Sequence, residues 1–325
     1  MIVVTGGAGF IGSALIWELN RQDFSDILIV DHLGESEKWR NLVKLKFSDY
    51  IPREEFHKLL LENKLLTPIW AIVHLGACSS TTERDADFLL RNNFKYSQDI
   101  CRYALEHNIR TIVASSAATY GDGSLGFSGD YALIPKLKPL NMYGYSKQLL
   151  DLWLLKNNYQ DRICSLKFFN VYGPNEYHKG DMKSVVAKAY QKIKATGRME
   201  LFESNDPSIA NGEQKRDFVY IKDCVKLIYH LLDHSGINGI YNVGTGIARS
   251  FNDLVKAVFK ALNMPAQIDY IPMPDELNSK YQNYTCANMD WLEKVDYPGQ
   301  FGSLEEGVYD YVKNYLDTND PYLEP

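Results

Sequence analysis

The sequence predicts an α/β fold, a doubly wound parallel sheet followed by a smaller C-terminal mixed α/β unit. Three observations carry that expectation. Short apolar runs rich in β-branched residues alternate with helical patterns, as strands buried on both faces do. A glycine-rich turn, Thr5-Gly6-Gly7-Ala8-Gly9-Phe10-Ile11-Gly12, follows the first of those runs at once. After Asn170 the pattern changes, and Pro174, Gly180, Gly197, Pro207 and Gly212 cut the chain into shorter elements with longer loops.

Taken in order, Ile2-Val3-Val4 reads as a strand and Ala14 to Leu19 as the helix behind the glycines. Ile27 to Val30 is a second strand that ends on Asp31. Further strands are expected at Ala71–Leu75, Thr111–Ser115 and Ile163–Phe169, with helices at Phe88–Glu106 and Lys147–Lys156 between them. Ile228–Leu232 and Ile240–Val243 read as a helix and a strand that rejoin the main sheet. Ile271-Pro272-Met273-Pro274 must be extended, because each proline disfavours helix in the residue before it. Asp317–Pro325 is polar and is expected to fray. Residues 1–170, with a return segment near 220–250, form the expected dinucleotide-binding domain. Residues 171–219 and 251–325 form the expected substrate domain.

Composition narrows the partners. A net charge of −6 with no basic run speaks against nucleic acid. No apolar run is long enough for a membrane helix. The five cysteines are scattered without metal-ligand spacing, so no metal is expected and a reducing compartment is. Met1 to Val4 runs straight into the glycine turn and leaves no room for a signal peptide, which suits a cytoplasmic protein.

Gly6, Gly9 and Gly12 lie between a strand and a helix, the context of a Rossmann dinucleotide fingerprint. The turn needs glycine, the pyrophosphate needs close backbone approach, and the helix N-terminus supplies dipole and free N–H groups. Asp31 follows roughly 20 residues on, at a strand end where a carboxylate takes ribose hydroxyls. An acid there favours NAD, whereas Lys38 and Arg53 are cations able to reverse the preference for a 2′-phosphate. The residues leave both open; NADP is the cofactor adopted, with NAD the alternative.

Tyr143 and Lys147 are spaced to share one helical face. A free tyrosine titrates near about pH 10 and becomes a useful base only when a cation favours its phenolate. Ser116 follows the expected strand Thr111–Ser115, so its hydroxyl can face the same cleft. Glycine fingerprint, serine and Tyr-x-x-x-Lys, in that order in one α/β chain, point to chemistry that moves a hydride and a proton.

With these residues the chain resembles the extended short-chain dehydrogenase/reductase family. Phe169 to Pro174, Arg216 to Asp223 and Tyr241 to Gly246 are similar to segments of its nucleotide-sugar-modifying branch. Within that branch, Gly76 to Glu83, His178-Lys179-Gly180, Phe202-Glu203-Ser204 and Tyr270 through Gln282 resemble the ADP-glycero-manno-heptose 6-epimerase family. The resemblance implies Tyr143 as acid/base, Lys147 holding the nicotinamide ribose and lowering the tyrosine's pKa, and Ser116 orienting substrate. It also implies Lys179 as a second acid/base; on composition alone Lys179 would read as a solvated loop cation.

The carry-over assigns the cofactor to Gly6, Gly9, Phe10, Ile11, Gly12, Asp31, His32, Lys38, Arg53, the loop Leu75, Gly76, Ala77, Cys78 and Ser79, and Asn92, Lys147, Val171 and Lys179. It assigns substrate to Ser79, Ser116, Asn170, Asp181, Lys188, Phe202, Glu203, Ser204, Asn205, Arg216 and Tyr281. Four positions depart from the family pattern: His32 replaces asparagine, Arg53 lysine, Asp181 serine and Lys188 histidine. These bear on the details of sugar contact and not on the reaction class. Lys167, where relatives carry arginine, is a tolerable change.

The implied activity is inversion at C6 of ADP-glycero-manno-heptose, an ADP-sugar of lipopolysaccharide inner-core synthesis, by a homo-oligomer for which the resemblance suggests a pentamer. A 4-epimerase of the same fold is the alternative, and it would not need Lys179. A dehydratase would carry an Asp-Glu pair where Ala117-Ala118 stand. A non-catalytic relative would lack Tyr143 or Lys147, and both are present.

Overall fold

The computed structural model describes residues 1–65, 68–278 and 281–325. Its first six strands are β1 (Ile2–Thr5), β2 (Ile27–Asp31), β3 (Asp49–Pro52), β4 (Ala71–His74), β5 (Arg110–Ser116) and β6 (Ile163–Phe168). β7 (Asn170–Tyr172), β8 (Met199–Phe202), β9 (Lys215–Tyr220), β10 (Gly239–Val243), β11 (Ala248–Ser250) and β12 (Ile268–Ile271) follow. A seven-stranded sheet runs in the order β10-β6-β5-β4-β1-β2-β3, and every pairing in it is parallel. From β1 the chain moves outward through β2 to β3, then crosses back to β4 on β1's other side. That reversal opens a crevice beyond the carboxyl ends of β1 and β4, where ligands of such sheets bind.

Side chains along these strands alternate between two cores. Ile2, Val4, Ile27, Ile29, Ala71 and Val73 face one side, while Val3, Leu28, Val30 and Ile72 face the other. Burying each large aliphatic group contributes about 1.5–3 kcal/mol, so this double-sided burial holds the register. Trp17 and Leu19 of the helix Phe10–Arg21 share the first core with Val225, Ile228 and Leu232 of the helix Ile221–Asp233.

β3 is absent from the sequence expectation. It is a half-exposed edge strand ending in proline, so it carries neither a continuous apolar run nor clean alternation. The helix expected from Lys147 begins earlier, at Met142, because the Asn141 side chain caps it by accepting the Gly144 N–H at 2.8 Å. Tyr143 therefore lies in its first turn. The helix expected at Phe88–Glu106 starts at Ala86 and contains a π-helical turn over Leu90–Lys95.

Two smaller sheets complete the fold, β11-β9-β7 and β12-β8. β7 pairs parallel with β9, and β9 antiparallel with β11. β12 supplies the extended backbone before Pro272; residues 279–280 of the segment Tyr270–Gln282 lie outside the described residues. The expected fraying of Asp317–Pro325 is not what the structure shows. Leu323 is fully buried, Trp17 Nε1–H donates to the Glu324 carbonyl at 2.8 Å, and Lys44 pairs with Asp320 and Glu324. One buried leucine, with the hydrogen bond and ion pairs around it, docks an otherwise polar tail. No helix among the described residues is long and apolar enough to cross a membrane.

Candidate active site

Because the main strands are parallel, Gly6, Asp31, Leu75, Ser116 and Asn170 all emerge at the same edge. They surround a cleft of about 730 Å³. Its lining includes Gly6, Gly9, Phe10, Ile11 and Gly12, Asp31 and Lys38, Leu75 to Ser79, Ser116, Tyr143 and Lys147, Asn170 and Val171, and Lys179. His32, Arg53, Asn92, Asp181, Lys188, Phe202 to Asn205, Arg216 and Tyr281 stand outside that lining.

The fingerprint has the shape a dinucleotide requires. Gly6 has φ +67°, and a Cβ on Gly12 would collide with the Gly6 carbonyl oxygen. No side chain caps the helix that starts at Phe10, so its first N–H groups face the cleft mouth, where a pyrophosphate is favoured. Asp31 is already engaged. It accepts from Ala8 N–H at 2.9 Å, His32 N–H at 2.7 Å and the Lys38 ammonium at 2.6 Å. Arg53 donates to the Asn92 side-chain oxygen and pairs with Glu54, so the two join each other beside the cleft. These residues fit a nicotinamide dinucleotide.

On the reacting wall, Gly144 matters. A Cβ there would stand 2.6 Å from the Ala118 carbonyl oxygen, so glycine lets the Tyr143 helix close on the turn that carries Ser116. Burial pushes the Tyr143 phenol above its ordinary value, and the Ser116 hydroxyl beside it pulls the other way. The expected lowering by Lys147 is not seen. Its ammonium donates to the Ala114 carbonyl at 2.9 Å, and burial holds it down to about 8, partly offset by Asp151. Desolvation is thus the largest influence on both groups.

Beneath these groups lies a fully buried ion pair, Lys167 with Asp151. Asp151 also accepts from Ser115 and Ser165, at 2.8 and 3.0 Å. Lys167 donates to Thr119 Oγ1, and the Thr119 hydroxyl donates to the Ser116 carbonyl. β5, β6 and the Tyr143 helix are thus tied together under Ser116, Tyr143 and Lys147. Asn93 is a second tie that sequence reasoning missed. Its amide bonds both backbone groups of Cys78 and the Ser146 hydroxyl, and Ser146 donates to the Tyr143 carbonyl. Only its place beside Asn92 could have drawn attention to it.

Across the cleft, Lys179 sits on the short helix Tyr177–Met182 with its ammonium 5.3 Å from the centre of the Phe10 ring. Burial lowers its pKa, with Glu176 opposing. His178 also lines the cleft and is pushed down to about 4, by burial first and then by Lys38 and Lys179. Arg216 lies beyond Phe251, stacked between that ring and Tyr281 at 5.5 and 5.1 Å. It is only 8% exposed, and no described carboxylate pairs with it. Asp217 turns away to accept from Thr245, Gly246 and Ala287. Asp181 and Lys188 are exposed. Glu203, Ser204 and Asn205 are held by the backbone and side chains of the loop 204–214 and by Ile271 and Asn278.

A dinucleotide fingerprint facing a tyrosine, a serine, a buried lysine and a half-buried one defines a class of nicotinamide-using enzymes, and the chain belongs to the NAD dependent epimerase/dehydratase family, whose model matches residues 2–244. It is 56% identical over 323 residues to ADP-L-glycero-D-manno-heptose-6-epimerase of Nitratidesulfovibrio vulgaris (strain DP4), covering 99% of this chain and 100% of that one. It is 47% identical to the enzyme of the same name from Fusobacterium nucleatum, at the same coverage. Among solved structures it resembles the Helicobacter pylori ADP-L-glycero-D-manno-heptose-6-epimerase, with TM-score 0.80 and 27% identity over 96% of this chain and 95% of that one. A UDP-N-acetylglucosamine 4-epimerase from Methanobrevibacter ruminantium M1, with TM-score 0.81 and 24% identity over 97% and 98% of the two chains, shares the fold.

Proposed function

We propose that this chain inverts C6 of ADP-glycero-manno-heptose, with NADP as its bound cofactor. The observation that carries the proposal is that Tyr143 and Lys179, from opposite ends of the fold's functional half, line one cleft with the glycine fingerprint. Inverting an unactivated secondary alcohol needs the C6–H bond broken and remade on the other face. Bound in the cleft, a nicotinamide dinucleotide would supply the hydride acceptor and then the donor. Tyr143 removes the hydroxyl proton as C6 becomes a ketone, with Ser116 holding the oxygen and Lys147 the ribose. Lys179, on the opposite face, would deliver a proton to the oxygen as the alcohol is re-formed. No net oxidation results.

Arg216 suits the substrate's pyrophosphate, because a buried guanidinium stacked between two rings and unpaired with any described carboxylate favours an anion. NADP is favoured over NAD because Lys38 neutralises Asp31 where a 2′-phosphate would otherwise meet bare negative charge. The two-domain division at 170, a cytoplasmic location and a homo-oligomer belong to the same proposal.

The test is to incubate the cofactor-loaded protein with each C6 epimer of ADP-heptose. Interconversion of both is expected, and no interconversion rejects the assignment. Tyr143→Phe is expected to lower turnover by about 10²–10⁴-fold while cofactor stays bound.

A further inference from the structure

The Lys179 turn is held from behind by the end of the chain. Leu323 is fully buried, and its N–H donates to the Asn175 side-chain oxygen at 3.1 Å. Pro321 accepts the Tyr177 hydroxyl at 2.8 Å. The Tyr322 ring stands edge-on to Tyr177, with centroids 5.4 Å apart. The tail therefore grips the residues on both sides of Glu176, just before Lys179.

Asn175 is fully buried with φ +74°, a left-handed conformation that asparagine tolerates, and its side chain is bonded on both sides. Its amide also donates to Ser13 Oγ at 3.0 Å, and its carbonyl accepts from Asn41 at 3.1 Å. Glu176 accepts from Tyr311 at 3.1 Å, and the Lys179 N–H donates to the Glu176 carbonyl at 3.0 Å. The tail itself is anchored on the fingerprint helix through Trp17 and Glu324. One continuous set of bonds thus runs from the helix at the cofactor site, through the tail, to the turn that aims Lys179.

We propose that Pro321, Tyr322 and Leu323 are positioning residues for Lys179: docking of this segment fixes the Asn175–Tyr177 turn and so places the ammonium in the cleft. The proposal rests on Lys179 being the second acid/base. It separates two roles in space, since no hydrogen bond among the described residues links the tail to Ser116, Tyr143 or Lys147. Undocking it disables one proton transfer and spares the other.

The experiment uses Leu323→Ala and a deletion of residues 319–325 in the otherwise complete chain, beside Lys179→Met and each combination. Both tail variants are expected to lose at least tenfold in epimerisation with cofactor still bound. Oxidation of one C6 epimer in a single turnover, followed as reduced cofactor, stays within about twofold of the unchanged protein. Adding Lys179→Met to a tail variant costs nothing beyond Lys179→Met alone, as expected of residues acting through one group. Acetylation of Lys179 by a small anhydride, mapped by mass spectrometry, rises in the tail variants, and this readout needs no activity. Unchanged epimerisation and unchanged acetylation in Leu323→Ala overturn the proposal, as do losses that multiply in the combined variant. Should the deletion fail to fold, Leu323→Ala and Tyr177→Phe, which removes only the hydroxyl held by Pro321, decide it. If Lys179→Met epimerises normally, the two-base mechanism fails, and the acetylation pattern still tests the positioning.

Discussion

The Lys38 ammonium lies 2.6 Å from the Asp31 carboxylate, in a pair whose side chains are only 18% and 9% exposed. Two opposed charges share the place where cofactor ribose is recognised in such folds. Removing the cation leaves Asp31 free to repel a 2′-phosphate. Lys38→Ala is expected to weaken NADP about tenfold, ~1.4 kcal/mol, and NAD less than threefold. Titration of both cofactors checks this, and an equal loss for both defeats it.

Lys147 gives a pH dependence with two opposite arms. Its value is held down to about 8 from an ordinary 10.5. Between those values the unfolded chain binds the more protons, so this group's contribution to stability grows as pH rises. Turnover that needs the ammonium falls over the same range. Thermal midpoints and kcat measured from about pH 7 to pH 10 should diverge accordingly. Lys147→Met should flatten the stability arm, and an unchanged slope in that variant would contradict the assignment.

Lys167 and Asp151 are both fully buried. Lys167→Met strands a carboxylate and is expected to cost about 3–5 kcal/mol, measured by denaturant unfolding. Lys167→Arg keeps the charge and should lose far less. Replacing both partners by apolar residues should recover most of the stability, because no lone charge is left behind.

Arg216→Met should raise KM by about thirtyfold, roughly 2 kcal/mol, with kcat little changed, since a pyrophosphate far from C6 is held equally in ground and transition states. Arg216→Lys should not restore affinity, because an ammonium lacks the planar fork stacked between Phe251 and Tyr281. A kcat defect without a KM change would refute this placement.

The alternation of strands and helices, the glycine turn and the Tyr143–Lys147 spacing are local patterns, and they were legible in the residues alone. So was the ordering of the main strands' functional ends, because a parallel sheet puts every carboxyl end on one edge. Family likeness, not spacing, singled out Lys179 and Arg216. β3 escaped notice because an exposed edge strand has no burial signal. Asn93 escaped because its value lies in partners far along the chain.

Sequence by itself determined the fold class, the place of the glycine turn and the pairing of Tyr143 with Lys147 on one helix, since each depends on neighbours within a few residues. Tertiary structure alone decided three further things: that Lys147 turns to Ala114, that Arg216 is unpaired with Asp217, and that the polar tail docks behind Lys179. Burial and hydrogen-bond partners are set by segments hundreds of residues apart in some cases, as between Trp17 and Glu324. Desolvation, which governs the charges at this site, exists only once those segments have met.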